Sequence, residues 1–225
     1  MTEDLSSRRF APPGLITAEG AFARIVPYEP AHAEPLWRAL GAGSDPELWR
    51  YLPPDEPASP EALDAFLNAR AASDDWRVHV LMDRASGAVF GTASFMRNRV
   101  AHGSTEVGCV AFSRAARGGA APTDAMRLMA GHVFDELGYR RYEWKCHGEN
   151  AASRRAAVRL GFTFEGVFRQ DMIVRGRNRD TAWFSLLDHE WPQAKAAFDL
   201  WLAPENFDAD GRQHRSLAAI RDTLE

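Results

Sequence analysis

The sequence predicts an α/β (α+β) fold, a mixed central sheet with helices on both faces. Three observations predict it. Apolar residues alternate with a period near two in separate stretches between Phe22 and Leu187, and helical spacings separate those stretches. Three strand-like stretches follow one another across short turns, which requires antiparallel pairing, and a helix-length crossover then leads to the next strand. At 45% hydrophobic and 26% charged over 225 residues, the chain has the balance of one globular domain, which excludes disorder, collagen and coiled-coil fibres.

The elements follow in order. Residues 1–20 are polar, carry Pro12-Pro13 and show no clear period, so they are expected to form an arm. The globular part, 21–187, opens with a strand at Phe22–Val26. Ala33, Leu36 and Leu40 then give one face of a first helix. Ser59-Pro60-Glu61 supplies a cap and a first-turn proline for a second helix that runs to about Ala72. From Arg77 the period changes to strands: VHVLMD, AVFGTASFMRN after a Ser86-Gly87 turn, and TEVGCVAF after His102-Gly103. A small-residue loop, SRAARGGAAPT, leads to a helix with Met126, Met129, Val133, Phe134 and Leu137 on its apolar side, closed by Gly138. YRRYEWKC is the next strand, ENAASRRAAVRLGF a helix with Asn150 near its cap, and FTFEGVFRQDMIVRG with TAWFSLL a final hairpin around GRNRD. Residues 188–225 hold one more helix, WPQAKAAFDLWLA, and a polar tail with a short helix near Leu217–Leu224.

The charge is unusual in kind more than in amount. Twenty-five arginines and two lysines, Lys145 and Lys195, face 31 acidic residues for a formal net charge of -4, which does not suggest a nucleic-acid partner. Cys109 and Cys146 are too few for a disulfide framework and lie in apolar stretches. The first residues lack the apolar run of a signal peptide, and no stretch of about 18 apolar residues occurs, so a cytoplasmic protein without membrane attachment is expected. His and Cys lack paired ligand spacing, so no metal site is expected.

Two segments carry chemistry. In TEVGCVAFSRAARGGAAPTDAM, a Gly/Ala-rich turn between strand and helix lets backbone N–H groups approach a phosphate at a helix N-terminus. It has neither a Walker ending nor a dinucleotide fingerprint, and alone it reads first as a simple turn and only second as a phosphate site. The second segment joins Glu149-Asn150-Ala151-Ala152-Ser153, Gly161-Phe162, Phe164-Glu165-Gly166 and Arg169. With Gly176 and Asp180 ahead of the strand ending Ser185-Leu186-Leu187, it resembles the GNAT N-acetyltransferase superfamily, in particular the Rim-type branch that includes ribosomal-protein N-terminal acetyltransferases. The resemblance runs from about Phe22 to Leu187 and implies a GNAT domain over 21–187, with a twisted, mostly antiparallel sheet of about seven strands. The extension from Asp188 also resembles segments of bacterial members of the branch.

What the resemblance implies is acetyl-CoA as donor and direct transfer to a primary amine. The family's donor loop, Q/R-x-x-G-x-G/A, aligns with Arg117-Gly118-Gly119-Ala120-Ala121-Pro122; Arg117 matches, and Ala120 and Pro122 depart from the pattern. The backbone of Val110, Ala111 and Phe112 would pair with the pantetheine arm, Asn150 would hold that arm or a water, and Ser153 would give a proton to the CoA sulfur. Arg117, Arg154 and Arg155 would meet the acidic nucleotide end. Helix capping accounts for Asn150 and Ser153 as well.

For the general base, Glu106 ranks first, against a plain surface glutamate, with Glu143 and His147 as alternatives. Trp49, Tyr51, Trp76 and Phe95 are either acceptor-pocket or core residues, and Asp45, Glu47, Asp55 and Glu56 either attract a cationic acceptor or are simply solvated. The acceptor, expected to be built from 36–55 and 169–180, stays open between a protein N-terminus and a small amine. A homodimer contact through the C-terminal extension, a non-catalytic acyl-CoA sensor and a protein-interaction module also remain open.

Overall fold

The computed structural model describes residues 5–41, 45–73 and 75–224. Residues 1–4 of the expected arm and 42–44 of the expected acceptor segment lie outside the described residues. A single eight-stranded sheet organises the rest, in the order β1-β2-β3-β4-β5-β6-β8-β7. The strands are β1 (Ala18–Glu19), β2 (Ala23–Pro27), β3 (Arg77–Asp83), β4 (Val89–Arg99), β5 (Ser104–Phe112), β6 (Arg141–His147), β7 (Thr163–Val174) and β8 (Arg177–Leu187). Every pairing is antiparallel except β5 with β6. The strand beyond the expected seven is β1, a two-residue pairing of Ala18 and Glu19 with Ile25 and Arg24. It is too short for a periodic signal.

The helices are α1 (Ala33–Leu40), α2 (Pro46–Trp49), α3 (Pro60–Ala71), α4 (Ala120–Gly131), α5 (Ala151–Arg159), α6 (Trp191–Leu202) and α7 (Leu217–Arg221). Ser59 caps α3 as its sequence predicts, accepting from Ala62 N at 3.3 Å, with Pro60 in the first turn. The single-turn α2 is not among the expected helices, because four residues cannot display a helical period. The arm from Leu5 is tied across the end of α4, with Phe10 edge-on to Tyr139 and the Tyr139 hydroxyl donating to Ala11 O at 2.9 Å.

Strand alternation divides the core in two. Val78 and Val80 of β3 join Leu36, Leu40, Trp49, Leu63 and Leu67 beneath α1 and α3, while Leu81 joins Ile25, Phe95, Met129 and Val133 beneath α4. The same alternation continues into β6 and β8 with one difference. Tyr142, Trp144, Cys146, Ala182, Phe184 and Leu186 enter the α4 and α6 core. Their neighbours Arg141, Glu143, Lys145, His147, Arg179, Thr181, Trp183 and Ser185 take the opposite face, where α1 and α3 do not reach. That polar half-face beside the α1–α3 layer is where the chemistry collects.

Two irregularities shape it. The parallel ladder between β5 and β6 is short, running only from Ser104 with Arg141 to Glu106 with Glu143. Beyond it β5 runs to Phe112 and β6 to His147 without pairing, so a wedge opens between them. Meanwhile, Cys109 and Val110 oppose the single residue Ala93, because Thr92 pairs with Ala111 and Ser94 with Gly108. This β-bulge, with Cys109 at φ 50, bends β5 at the wedge mouth.

Candidate active site

The wedge presents the β6-facing edge of residues 107–112 as unpaired backbone, and the loop after it leads into α4. Two tight turns, Ala116 N to Ser113 O at 3.1 Å and Gly119 N to Ala116 O at 3.0 Å, coil this loop. Gly118 lies at φ 76, a left-handed turn that a side chain would strain. The amides of Ala120 and Ala121 fall in the first turn of α4, where no intrahelical acceptor exists for them, and Pro122 has no N–H to leave unpaired. Ala120 and Pro122 therefore fit a helix start despite departing from the family pattern. The Arg117 side chain, expected at a phosphate, forms an ion pair with Asp45 at 2.5 Å and donates to Phe112 O at 3.2 Å. Asp45 is thereby removed as an acceptor-attracting charge.

Across the wedge, Asn150 caps α5, its Oδ1 accepting from Ser153 N at 3.0 Å. The Ser153 hydroxyl accepts from Trp144 Nε1 at 2.9 Å and lies within hydrogen-bonding reach of the Cys146 sulfur. Arg154 donates to Gly148 O and lies over the Phe164 ring. Arg155 is exposed and makes no hydrogen bond or ion pair among the described residues.

On the polar face Glu106 is 2% exposed, so it is not the surface carboxylate that its sequence equally allowed. Arg97 Nη1 reaches both its oxygens, at 2.9 and 2.8 Å, and Lys145 Nζ stands 3.1 Å from Oε2. Burial pushes the Glu106 carboxyl above its ordinary range, and the two cations hold the rise back. Its Oε1 lies over Gly108: a Cβ there would stand 2.8 Å from it and would collide with Met96 Sδ. Glycine at 108 thus keeps a carboxylate at the wedge vertex. Plain alternation would send Arg97 away from Met96, but a second irregularity between Met96 and Arg99, with Arg97 at φ 50, turns it onto Glu106.

Glu143, the alternative base, is also buried but differently served. Burial pushes its pKa up, yet Lys145 at 2.8 Å, Arg141 at 2.8 Å and Arg99 more than reverse that, leaving it below the usual carboxylate range. A carboxylate so held is a poor proton acceptor. His147, the other alternative, accepts from Glu149 N at 3.1 Å and packs against Tyr51, ring centres 5.2 Å apart. Trp49, Trp76 and Phe95 are buried in the core, Trp49 also lining a small pocket with Cys109 and Ala111 of β5, while Tyr51 packs on His147 at this site. Burial pushes the Cys109 thiol up to about 12 and raises that of Cys146 as well, so neither is an activated nucleophile.

A roof spans the face. Arg175, in the β7–β8 turn, donates to the carbonyls of Trp49, Arg50, Leu52 and Pro54 and forms an ion pair with Asp55 at 2.8 Å. The two segments expected to build the acceptor site therefore meet. At the far end of the face, by the paired ends of β5 and β6, a cavity of about 500 Å³ is lined by Arg99, Arg140, Arg141, Glu165, Phe168 and Trp183. Glu143 is the only candidate site residue that lines it.

Sequence reasoning missed Lys145, Arg97, Arg179 and Arg175. A signal for Lys145 was present, because it is one of only two lysines in a chain that otherwise uses arginine.

Residues 23–163 match the sequence profile of the acetyltransferase (GNAT) domain. The chain belongs to the GNAT acetyltransferase family. Among solved structures, a GCN5-related N-acetyltransferase from Brucella melitensis is 42% identical with a TM-score of 0.93, covering 96% of this chain and 99% of that one. A probable GNAT-family acetyltransferase from Chromobacterium violaceum ATCC 12472 is 36% identical with a TM-score of 0.79, covering 85% and 96%. Among curated proteins, YdaF of Bacillus subtilis (strain 168), provisionally named a ribosomal N-acetyltransferase, is 34% identical over 73 residues, 32% of this chain and 40% of its own length. The ribosomal-protein-S5-alanine acetyltransferase of Vibrio fischeri shares the fold, at 17% identity and a TM-score of 0.61. The GNAT family takes its acetyl group from acetyl-CoA, and an unpaired strand edge followed by a coiled loop at a helix start suits an extended arm ending in phosphates.

Proposed function

We propose that this acetyltransferase moves the acetyl group of acetyl-CoA directly to a primary amine entering from the polar face, with Glu106 as proton acceptor. The observation that carries the reading is the Glu106 carboxylate lying over Gly108 at the vertex of the wedge. In the proposed step the amine nitrogen bonds to the thioester carbonyl carbon and the carbon–sulfur bond breaks. The ammonium proton passes to Glu106 and later to solvent; the leaving thiolate takes a proton from Ser153, and the second proton that nitrogen loses as the amide forms restores the serine hydroxyl. Val110, Ala111 and Phe112 would hold the pantetheine arm, Asn150 would bond it from the other side, and the loop from Gly118 to Ala121 would meet the pyrophosphate through the amides of Gly118, Ala120 and Ala121. Arg155, exposed on α5, would serve the nucleotide end.

Arg97 and Lys145 then divide their roles. The Arg97 side chain is 41% exposed and free to swing toward solvent, so an incoming ammonium can take its place. The Lys145 side chain is 7% exposed and stays on Oε2, which leaves Oε1 to receive the proton.

Calorimetry with acetyl-CoA and thiol release over a panel of amines and peptides test the reading. Binding with thiol release on at least one amine is expected. Binding without release on any acceptor would favour an acyl-CoA sensor, and no binding would remove both.

A further inference from the structure

Among the described residues of the polar face, five cations, Arg97, Arg99, Arg141, Lys145 and Arg179, stand against three carboxylates, Glu106, Glu143 and Glu165. Four of the five are in ion pairs, and the exception is Arg179. Its guanidinium makes no hydrogen bond or ion pair among the described residues, and its Nε is buried without a partner. Asp171 across the hairpin is close enough to be felt but forms no ion pair with it. Two residues along β8, about 7 Å away, Thr181 is 2% exposed and its hydroxyl also lacks a partner. Alternation puts both on the face of Lys145 and Trp183, and Arg179 lies within electrostatic reach of Glu106 and Arg97. A buried donor pair without acceptors costs roughly 1–3 kcal/mol per group, more for a charge, unless something satisfies it.

We propose that Arg179 and Thr181 form an anion subsite for the acceptor, which is a small amine carrying its own carboxylate, of the amino-acid kind. This rests on the reading of Glu106 as the amine's partner. The amine goes to the buried carboxylate, and the carboxylate goes to the unpaired guanidinium and hydroxyl. The roof that Arg175 fastens over this face favours a compact acceptor. A residue at a protein N-terminus would bring a neutral amide where the free amino acid brings its charge.

The test uses conjugates in which CoA sulfur is joined through an acetyl bridge to the amine of glycine, β-alanine or γ-aminobutyrate, each paired with its carboxamide, and also to an N-terminally acidic peptide amide. Affinities are measured by calorimetry on the wild type, Arg179→Gln and Arg179→Lys. At least one carboxylate conjugate is expected to bind tenfold or more tightly than its carboxamide. Arg179→Gln should abolish that difference while leaving CoA affinity unchanged, and Arg179→Lys should keep part of it. Equal affinity within every pair, or a preference that survives in Arg179→Gln, would overturn the subsite, as would tightest binding of the peptide conjugate. If every conjugate binds no better than CoA alone, the placement of the acceptor at Glu106 fails first and the subsite falls with it.

Discussion

Lys145 Nζ stands 3.1 Å from Glu106 Oε2 and lies 3.7 Å from the centre of the Trp183 ring, so the cation that steadies the proposed base is itself packed on an aromatic face. One ammonium serves Glu106 and Glu143 together, since its distance to Glu143 Oε2 is 2.8 Å.

Removing it leaves two buried carboxylates short of a partner. Lys145→Met is expected to lower unfolding free energy by about 3 kcal/mol, read from urea denaturation. Adding Glu106→Gln should recover part of the loss, because the carboxylate then carries no charge to compensate. A full-sized loss in the double variant would mean that Lys145 acts by packing alone.

Glu106→Gln is expected to slow transfer by about 100-fold with acetyl-CoA affinity within about twofold of wild type. Burial raises the Glu106 carboxyl, so the active, ionised form accumulates only as pH climbs through that raised value. The acidic limb of kcat/KM should therefore lie above the ordinary carboxylate range and disappear in the variant. Unchanged turnover would reject the assignment.

Asn150 separates capping from donor binding. Asn150→Ala removes the acceptor for Ser153 N and should cost about 1 kcal/mol of stability, measured as a fall in Tm. Asn150→Asp keeps that acceptor and loses the amide donor. It should therefore melt like wild type yet bind acetyl-CoA more weakly. Wild-type affinity in Asn150→Asp would leave the residue a cap and nothing more.

His79 is fully buried and its Nε2 accepts from Ile16 N at 3.0 Å, an arrangement that requires the neutral ring. Burial lowers its pKa from 6.5 to about 4. The unfolded chain takes up the proton first as pH falls, so this contribution is complete above about pH 6.5, declines between 6.5 and 4, and has a ceiling of about 3 kcal/mol. His79→Gln should flatten that part of the stability curve. An unchanged slope would place the acid sensitivity elsewhere.

Arg175→Ala unfastens the roof without touching the wedge. KM for the acceptor should rise about tenfold, with kcat and acetyl-CoA affinity within about twofold. A fall in kcat alone would show that the hairpin tip acts on the chemical step instead.

The parts of this molecule that could be read from sequence are those written locally. The cap at Asn150 and Ser153, the Ser59-Pro60 helix start and the three-strand meander each declare themselves within a few residues. Alternation in RYEWKCH even separates the core residues of β6 from the polar ones. What escaped depends on distant partners. The ion pair of Arg117 is with Asp45 of a different segment, which its own loop does not announce. Arg175 fastens carbonyls more than 120 residues away. Lys145 meets Glu106 only because the α4 crossover sets β5 and β6 in parallel register. Arg97 reaches the site against its own alternation, by a left-handed residue in a strand irregularity that no spacing rule anticipates.

The short β5–β6 ladder has a mechanical consequence. Between Glu106 and Phe112 the sheet is a seam, and within the sheet its two banks, β1–β5 and β6–β8, are joined by three register pairs and the ion pairs around Glu106 and Glu143. A donor lying along that seam, as proposed, would hydrogen-bond in place of the missing rungs and so act as a structural member as well as a reactant. Its departure after each turnover would loosen that seam, and the proposed proton acceptor stands at the last stitch that holds.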